Sequence, residues 1–191
     1  MGLPAFKLIK VQEYLESEIN AVEKHEFFDG EVFAMAGASE KHNRVVVNLT
    51  IEIGKHLKGK SCTIYPSDMR VATPQSDAYM YPDLSIVCGE IELKENIFDT
   101  LMNPSVIIEV MSPTTKVYDS GYKFFYYKQI PSLKEYIIID PTQYFVAKFS
   151  RQIDNSWNIV DTEGQNASIM INTIELEIPF DDIYYRVKFD K

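Results

Sequence analysis

Two acids stand where charge is least at home. Asp83 follows Pro82 at the head of the apolar run Leu84-Ser85-Ile86-Val87, and Glu109 interrupts Val106-Ile107-Ile108-Glu109-Val110. An ionised carboxylate buried without a partner is strongly destabilising, so acids in two apolar strands point to a shared ligand, most simply a metal ion. Side chains alternate along a strand, so Ser85 and Val87 share the face of Asp83, while Ser105, Ile107 and Met111 share that of Glu109. If the two strands are neighbours, both carboxylates reach one face of a sheet. Such oxygen ligands suit Mg²⁺ or Mn²⁺, which one or two carboxylates, waters and a substrate phosphate commonly hold. Lys123 is the third candidate. It lies four residues after Asp119, with Tyr126 and Tyr127 about one turn further on, so an acid, the lysine and a tyrosine share a helical face. An ammonium beside two metal-binding acids could steer an attacking water or stabilise charge on a phosphoryl transition state. The implied chemistry is metal-assisted hydrolysis of a phosphodiester.

The elements that must position these groups are readable from periodicity. Residues 10–19 predict a short helix, with Val11, Tyr14, Leu15 and Ile19 near helical spacing. Asp29-Gly30, between Glu26-Phe27-Phe28 and Glu31-Val32-Phe33-Ala34-Met35, predicts a hairpin. Ser39 caps a predicted helix ending near Lys58, whose stripe is Val45, Val46, Leu49, Ile53 and Leu57; His42 falls in its first turn and Gly59 stops it. Strands are expected at 62–71, 82–88 and 105–111, a helix near 117–129, and a buried strand at Glu135–Ile139 closed by Asp140-Pro141. Short alternating stretches at Tyr144–Phe149, Trp157–Val160 and Ile174–Ile178 predict a β-rich end. The order gives a mixed sheet with helices, α/β or α+β in class.

At 191 residues with 46% hydrophobic content, one domain with a packed core is expected. A formal charge of −9 offers nothing global to attract polyphosphate, so nucleic-acid contact must come from a local basic patch or a bound cation. Lys41, Arg44, Lys116, Lys123 and Lys128, on the two helices nearest the acids, are the candidates for such a patch. Cys62 and Cys88 form no Cys-x-x-Cys pattern, so neither a disulfide framework nor a zinc site is expected, and a reducing cytoplasm fits. No export signal or membrane span is expected.

Pro82-Asp83, Glu109-Val110-Met111-Ser112-Pro113-Thr114-Thr115, Asp119, Lys123, Tyr127 and Glu135–Pro141 resemble the cyanobacterial-type Uma family of restriction endonucleases, within the PD-(D/E)xK nuclease superfamily. Asp29-Gly30-Glu31, the stretch from Ala38 to His42 and Ser67–Val71 share the resemblance, which spans most of residues 10–150 and thins out beyond. It implies a restriction-endonuclease-like core over about 10–150, a β-rich C-terminal extension over about 143–191, and a Mg²⁺-dependent endonuclease acting on DNA. It further implies Asp83, Glu109 and the Val110 carbonyl as metal ligands, and a homodimer. The superfamily lysine normally stands two residues after the second acid, where this chain has Met111; the family resemblance moves that role to Lys123. Glu31, His42 and Asp68 are possible site-lining residues.

Each residue also has a plainer reading. Asp83 could cap a turn, Glu109 could pair with Arg70, Lys123 could be a solvated partner of Asp119, and the aromatics of the 117–129 helix could be core. The rival to an enzyme is a catalytically inactive nuclease-fold module for nucleic-acid binding or assembly.

Overall fold

Local chemistry decides the first third of the chain. In the structure, a computed structural model describing residues 8–74, 78–94, 99–112 and 118–189 (the side chains of 118–120 excepted), α1 (Val11–Ile19) buries Tyr14 and Leu15. β1 (His25–Phe28) and β2 (Glu31–Ala34) form the expected hairpin, with Asp29 and Gly30 at φ 49° and 96°. Gly30 is needed there for a second reason: a Cβ would meet Leu8 at 3.1 Å. The Ser39 hydroxyl accepts the His42 N–H at 3.2 Å and starts α2 (Glu40–Leu57), which buries Val45, Leu49, Ile53 and Leu57.

The strands follow in order: β3 (Cys62–Pro66), β4 (Arg70–Ala72), β5 (Ala78–Met80), β6 (Leu84–Cys88), β7 (Thr100–Leu101), β8 (Val106–Val110), β9 (Glu135–Asp140), β10 (Phe145–Arg151), β11 (Trp157–Glu163), β12 (Ser168–Ile171) and β13 (Leu176–Pro179). A π-helical turn (Tyr118–Lys123) runs into α3 (Phe124–Tyr127), and α4 (Phe180–Ile183) follows the last strand. The six-stranded sheet has the order β11-β10-β9-β8-β6-β3, mixed because only β8 and β9 within it run parallel. A five-stranded sheet, β2-β1-β5-β4-β7, and the β12–β13 hairpin complete the architecture.

The central strands β6, β8 and β9 of the six-stranded sheet are buried on both faces. Leu84, Ile86, Val106, Ile108 and Val110 pack with α2 and with Ile169, Ile178, Phe180 and Ile183 of the C-terminal elements. Val87, Ile107 and Met111 face the other way, toward Tyr126, Tyr127 and the five-stranded sheet's Phe28, Val71 and Met80. The alternation read from the sequence is thus the actual division between the two cores.

Three expectations are corrected. The strand at 62–71 is two strands in different sheets, because the chain turns after Pro66, with Met69 N–H donating to the Pro66 carbonyl. Ile174 ends a 3₁₀ turn (Asn172–Ile174) rather than opening a strand, and β12 lies before it. Cys62 and Cys88 stand directly opposite in the antiparallel β3–β6 ladder and form a disulfide. Distance along the chain concealed that register, and the cysteine pattern no longer argues for a reducing compartment. Of the predicted 117–129 helix, the π turn and α3 are observed; residue 117 lies outside the described residues. No helix among the described residues is long and apolar enough to cross a membrane.

Candidate active site

β6 and β8 are antiparallel neighbours with Leu84 opposite Ile108, so the register carried one step further sets Asp83 opposite Glu109. The Asp83 N–H points to Glu109 Oε2 at 3.4 Å. Met111 N–H donates to the Ile139 carbonyl, which turns the backbone of Glu109 and Met111 toward β9 and that of Val110 toward β6. One more step of register puts Pro82 opposite Val110. Proline has no N–H, so the ladder bond that would claim the Val110 carbonyl cannot form. The Val110 N–H, correspondingly, donates to Asp83 Oδ2 at 2.8 Å.

Asp83 Oδ2 also lies 3.2 Å from His42 Nε2. A carboxylate only accepts, so the Nε2–H is the donor, and Nδ1 is buried without a partner among the described residues. His42, from the capped first turn of α2, therefore steadies Asp83 from the opposite layer.

Glu109 Oε1 receives two donors from one helical face: Lys123 Nζ at 3.2 Å and the Tyr127 hydroxyl at 3.0 Å. The π turn sets that phase, since Lys123 ends it and Tyr127 lies one α-turn on. Burial, then the charges of Glu109 and Glu26, push the Tyr127 hydroxyl well above its ordinary range and keep it a donor. Lys123 Nζ also meets Glu26 Oε1 at 2.9 Å, and Glu26 in turn accepts the Tyr81 N–H at 3.1 Å. Glu26, Glu109, Lys123 and Tyr127 are all buried.

The structure thus brings together Asp83, Glu109, Val110, Lys123 and His42. Glu31, opposite Phe28, lies on the hairpin face that carries Glu26, at the rim. Asp68 is not brought in: it is exposed in the turn after β3 and paired with Lys24 at 2.7 Å. Arg70 is buried, donating to Thr100 Oγ1 and flanked by the rings of Tyr14 and Tyr79. The Asp119 side chain lies outside the described residues. Glu26 is the member that sequence reasoning missed. Its only signal was a carboxylate sharing a strand face with Phe28.

The donor set fits a hard divalent cation. Glu26, Asp83 and Glu109 set three carboxylates against the Lys123 ammonium, leaving a surplus of negative charge. Asp83 Oδ1 makes no hydrogen bond among the described residues. The Ser85 hydroxyl, next on the Asp83 face, is buried without a partner among the described residues. Among the described residues no three His, Cys, Asp or Glu side chains are spaced to hold an ion by themselves, so Mg²⁺ or Mn²⁺ here would need water and substrate oxygens as further ligands.

Set beside known proteins, the chain is matched over residues 11–181 by the Uma2 family, described as "Putative restriction endonuclease". Two uncharacterized proteins of Synechocystis sp. resemble it closely. The first, sll1609, is 35% identical over 176 residues, covering 92% of this chain and 99% of its own length. The second, slr1290, is 32% identical over 184 residues, covering 96% and 95%. A crystal structure from Anabaena variabilis, described as "a putative nuclease belonging to DUF820", superimposes with a TM-score of 0.77 at 17% identity, covering 94% of this chain and 99% of that one. At that identity the likeness speaks for the fold.

Proposed function

The chain belongs to the Uma2 family of the "Putative restriction endonuclease" description, and on that premise we propose that it is a Mg²⁺- or Mn²⁺-dependent endonuclease hydrolysing phosphodiester bonds in DNA. The observation that carries the reading is the convergence of Asp83, Glu109 and Lys123 where the start of β6 meets the end of β8. Asp83, Glu109 and the Val110 carbonyl hold the cation. When bound, it supplies Lewis acidity to the phosphoryl group. His42 and the Val110 N–H fix one oxygen of Asp83, leaving the other for the site. Tyr127 and Lys123 fix Oε1 of Glu109 and so aim Oε2 at Asp83. The Lys123 ammonium orients the attacking water or meets charge developing in line with the leaving oxygen. A homodimer in the cytoplasm completes the proposal.

Plasmid cleavage with Mn²⁺ by the wild type, Asp83→Ala and Lys123→Ala tests this. Loss in both variants is expected; equal activity in all three sinks the site assignment. One observation favours the rival, an inactive binding or assembly module: Lys123 already neutralises part of the acid cluster through Glu26 and Glu109. Metal-independent DNA binding without cleavage would select that rival.

A further inference from the structure

The rim beside the acid–lysine cluster is aromatic. Phe28, fully buried, has the rings of Tyr126, Tyr122 and Phe33 at 5.1, 5.3 and 5.9 Å, and Phe125 lies 5.4 Å from Tyr126. The outer members are exposed: Phe33 by 38%, Tyr122 by 39% and Phe125 by 53%. They are contiguous with the site. Phe33 is the direct cross-strand partner of Glu26, which holds Lys123, and Tyr122 precedes Lys123 in the chain. The cation of Lys128 sits 5.1 Å from the centre of the Phe125 ring.

Resting on the nuclease reading above, we propose that this rim is a stacking platform for unpaired nucleobases, so that the preferred substrate is single-stranded or locally opened nucleic acid. Two features of this surface and one of the whole chain select that occupant. First, the exposed groups are π faces, against which any base stacks without regard to sequence. Second, Glu31 shares the face of Phe33, and Asp29 stands at the hairpin tip where it accepts the Tyr126 hydroxyl. These acids repel phosphate, so a strand lies with bases against the rings and backbone toward Lys128. Third, a chain of formal charge −9 gains little from phosphate attraction, and stacking supplies affinity that salt does not screen.

Fluorescence anisotropy in EDTA, with a labelled oligo(dT) single strand and a duplex of equal length, tests the platform apart from cleavage. The single strand should bind more tightly than the duplex. Phe125→Ala and Tyr122→Ala should each weaken it by about tenfold or more, and Phe125→Trp, but not Phe125→Leu, should retain it. A log–log salt slope near −1, as for about one or two phosphate contacts, is expected. Equal or tighter duplex binding, unchanged affinity in the alanine variants, or full retention by Phe125→Leu overturns the proposal. So does a change of oligomeric state in Phe125→Ala with unaltered oligonucleotide affinity, which would make the rim a protein interface. Parallel plasmid cleavage by the wild type and Asp83→Ala separates the two claims. Cleavage lost in Asp83→Ala, with stacking absent, leaves the nuclease reading standing; equal cleavage with stacking intact leaves only the platform.

Discussion

Lys123 couples stability to the proposed chemistry, because its ammonium pairs with two buried carboxylates. Lys123→Ala removes the ammonium that the buried Glu26 and Glu109 carboxylates both meet, and the expected loss is about 3–5 kcal/mol in urea unfolding. The double variant Lys123→Met/Glu26→Gln should recover much of that stability without activity; a double variant as unstable as the single would show that the Glu26 contact is not what the lysine balances. In the proposed site His42 positions Asp83 rather than meeting the substrate. His42→Ala should weaken Mn²⁺ binding about 10–100-fold by calorimetry, with His42→Gln retaining more because its amide still donates to Asp83. Unchanged affinity in His42→Ala would remove histidine from the site. Asp83 and Glu109 are legible in the sequence because charge interrupts an apolar pattern, and Lys123 through its helical spacing beside those acids together with the family resemblance. Glu26 is not, since the alternation that places it beside Phe28 is equally that of an ordinary hairpin, and only the five-stranded sheet's packing buries it.

At the level of elements, a missing hydrogen bond leaves a backbone carbonyl for the proposed cation. Pro82→Ala restores an N–H opposite the Val110 carbonyl, lets the β6–β8 ladder run on, and engages a proposed ligand. Mn²⁺ affinity should fall while thermal stability holds or rises; a stability loss with unchanged affinity would mean that proline matters only for the turn. The same scale explains what could and could not be read in advance. α1, α2, the hairpin, β6, β8 and β9 are legible because capping, turn chemistry and apolar runs agree within each segment. The break between β3 and β4 is not, because both halves carry strand-forming residues and only the switch of sheet separates them. Nor is the π turn, since a wide turn at Tyr118–Lys123 has no periodic signature distinct from an α-helix.

For the whole molecule, the C-terminal elements are part of the main core. Ile169, Ile178, Phe180 and Ile183 pack with Val45, Leu49 and Ile108, so we propose that the chain unfolds as one unit, with the lone Trp157 and far-UV dichroism reporting the same transition. Two separated transitions would divide it into domains. Alkaline pH offers a sharper test. Burial, the largest cause in each case, raises the hydroxyls of Tyr14, Tyr81, Tyr126, Tyr127 and Tyr184, that of Tyr81 to about 12. Unfolded tyrosine titrates near ~10, so above that pH the unfolded chain releases protons that the native chain retains. The folded state therefore keeps its full tyrosine contribution below about pH 10 and loses it progressively as pH rises through the Tyr81 value and beyond. Unfolding followed from pH 8 to 12 should steepen above about pH 10, and Tyr184→Phe, which removes a titrating group from the shared core, should flatten the fall. A stability curve level across that range would mean that these hydroxyls are not held neutral by the fold, and the donor role assigned to Tyr127 would fall with it.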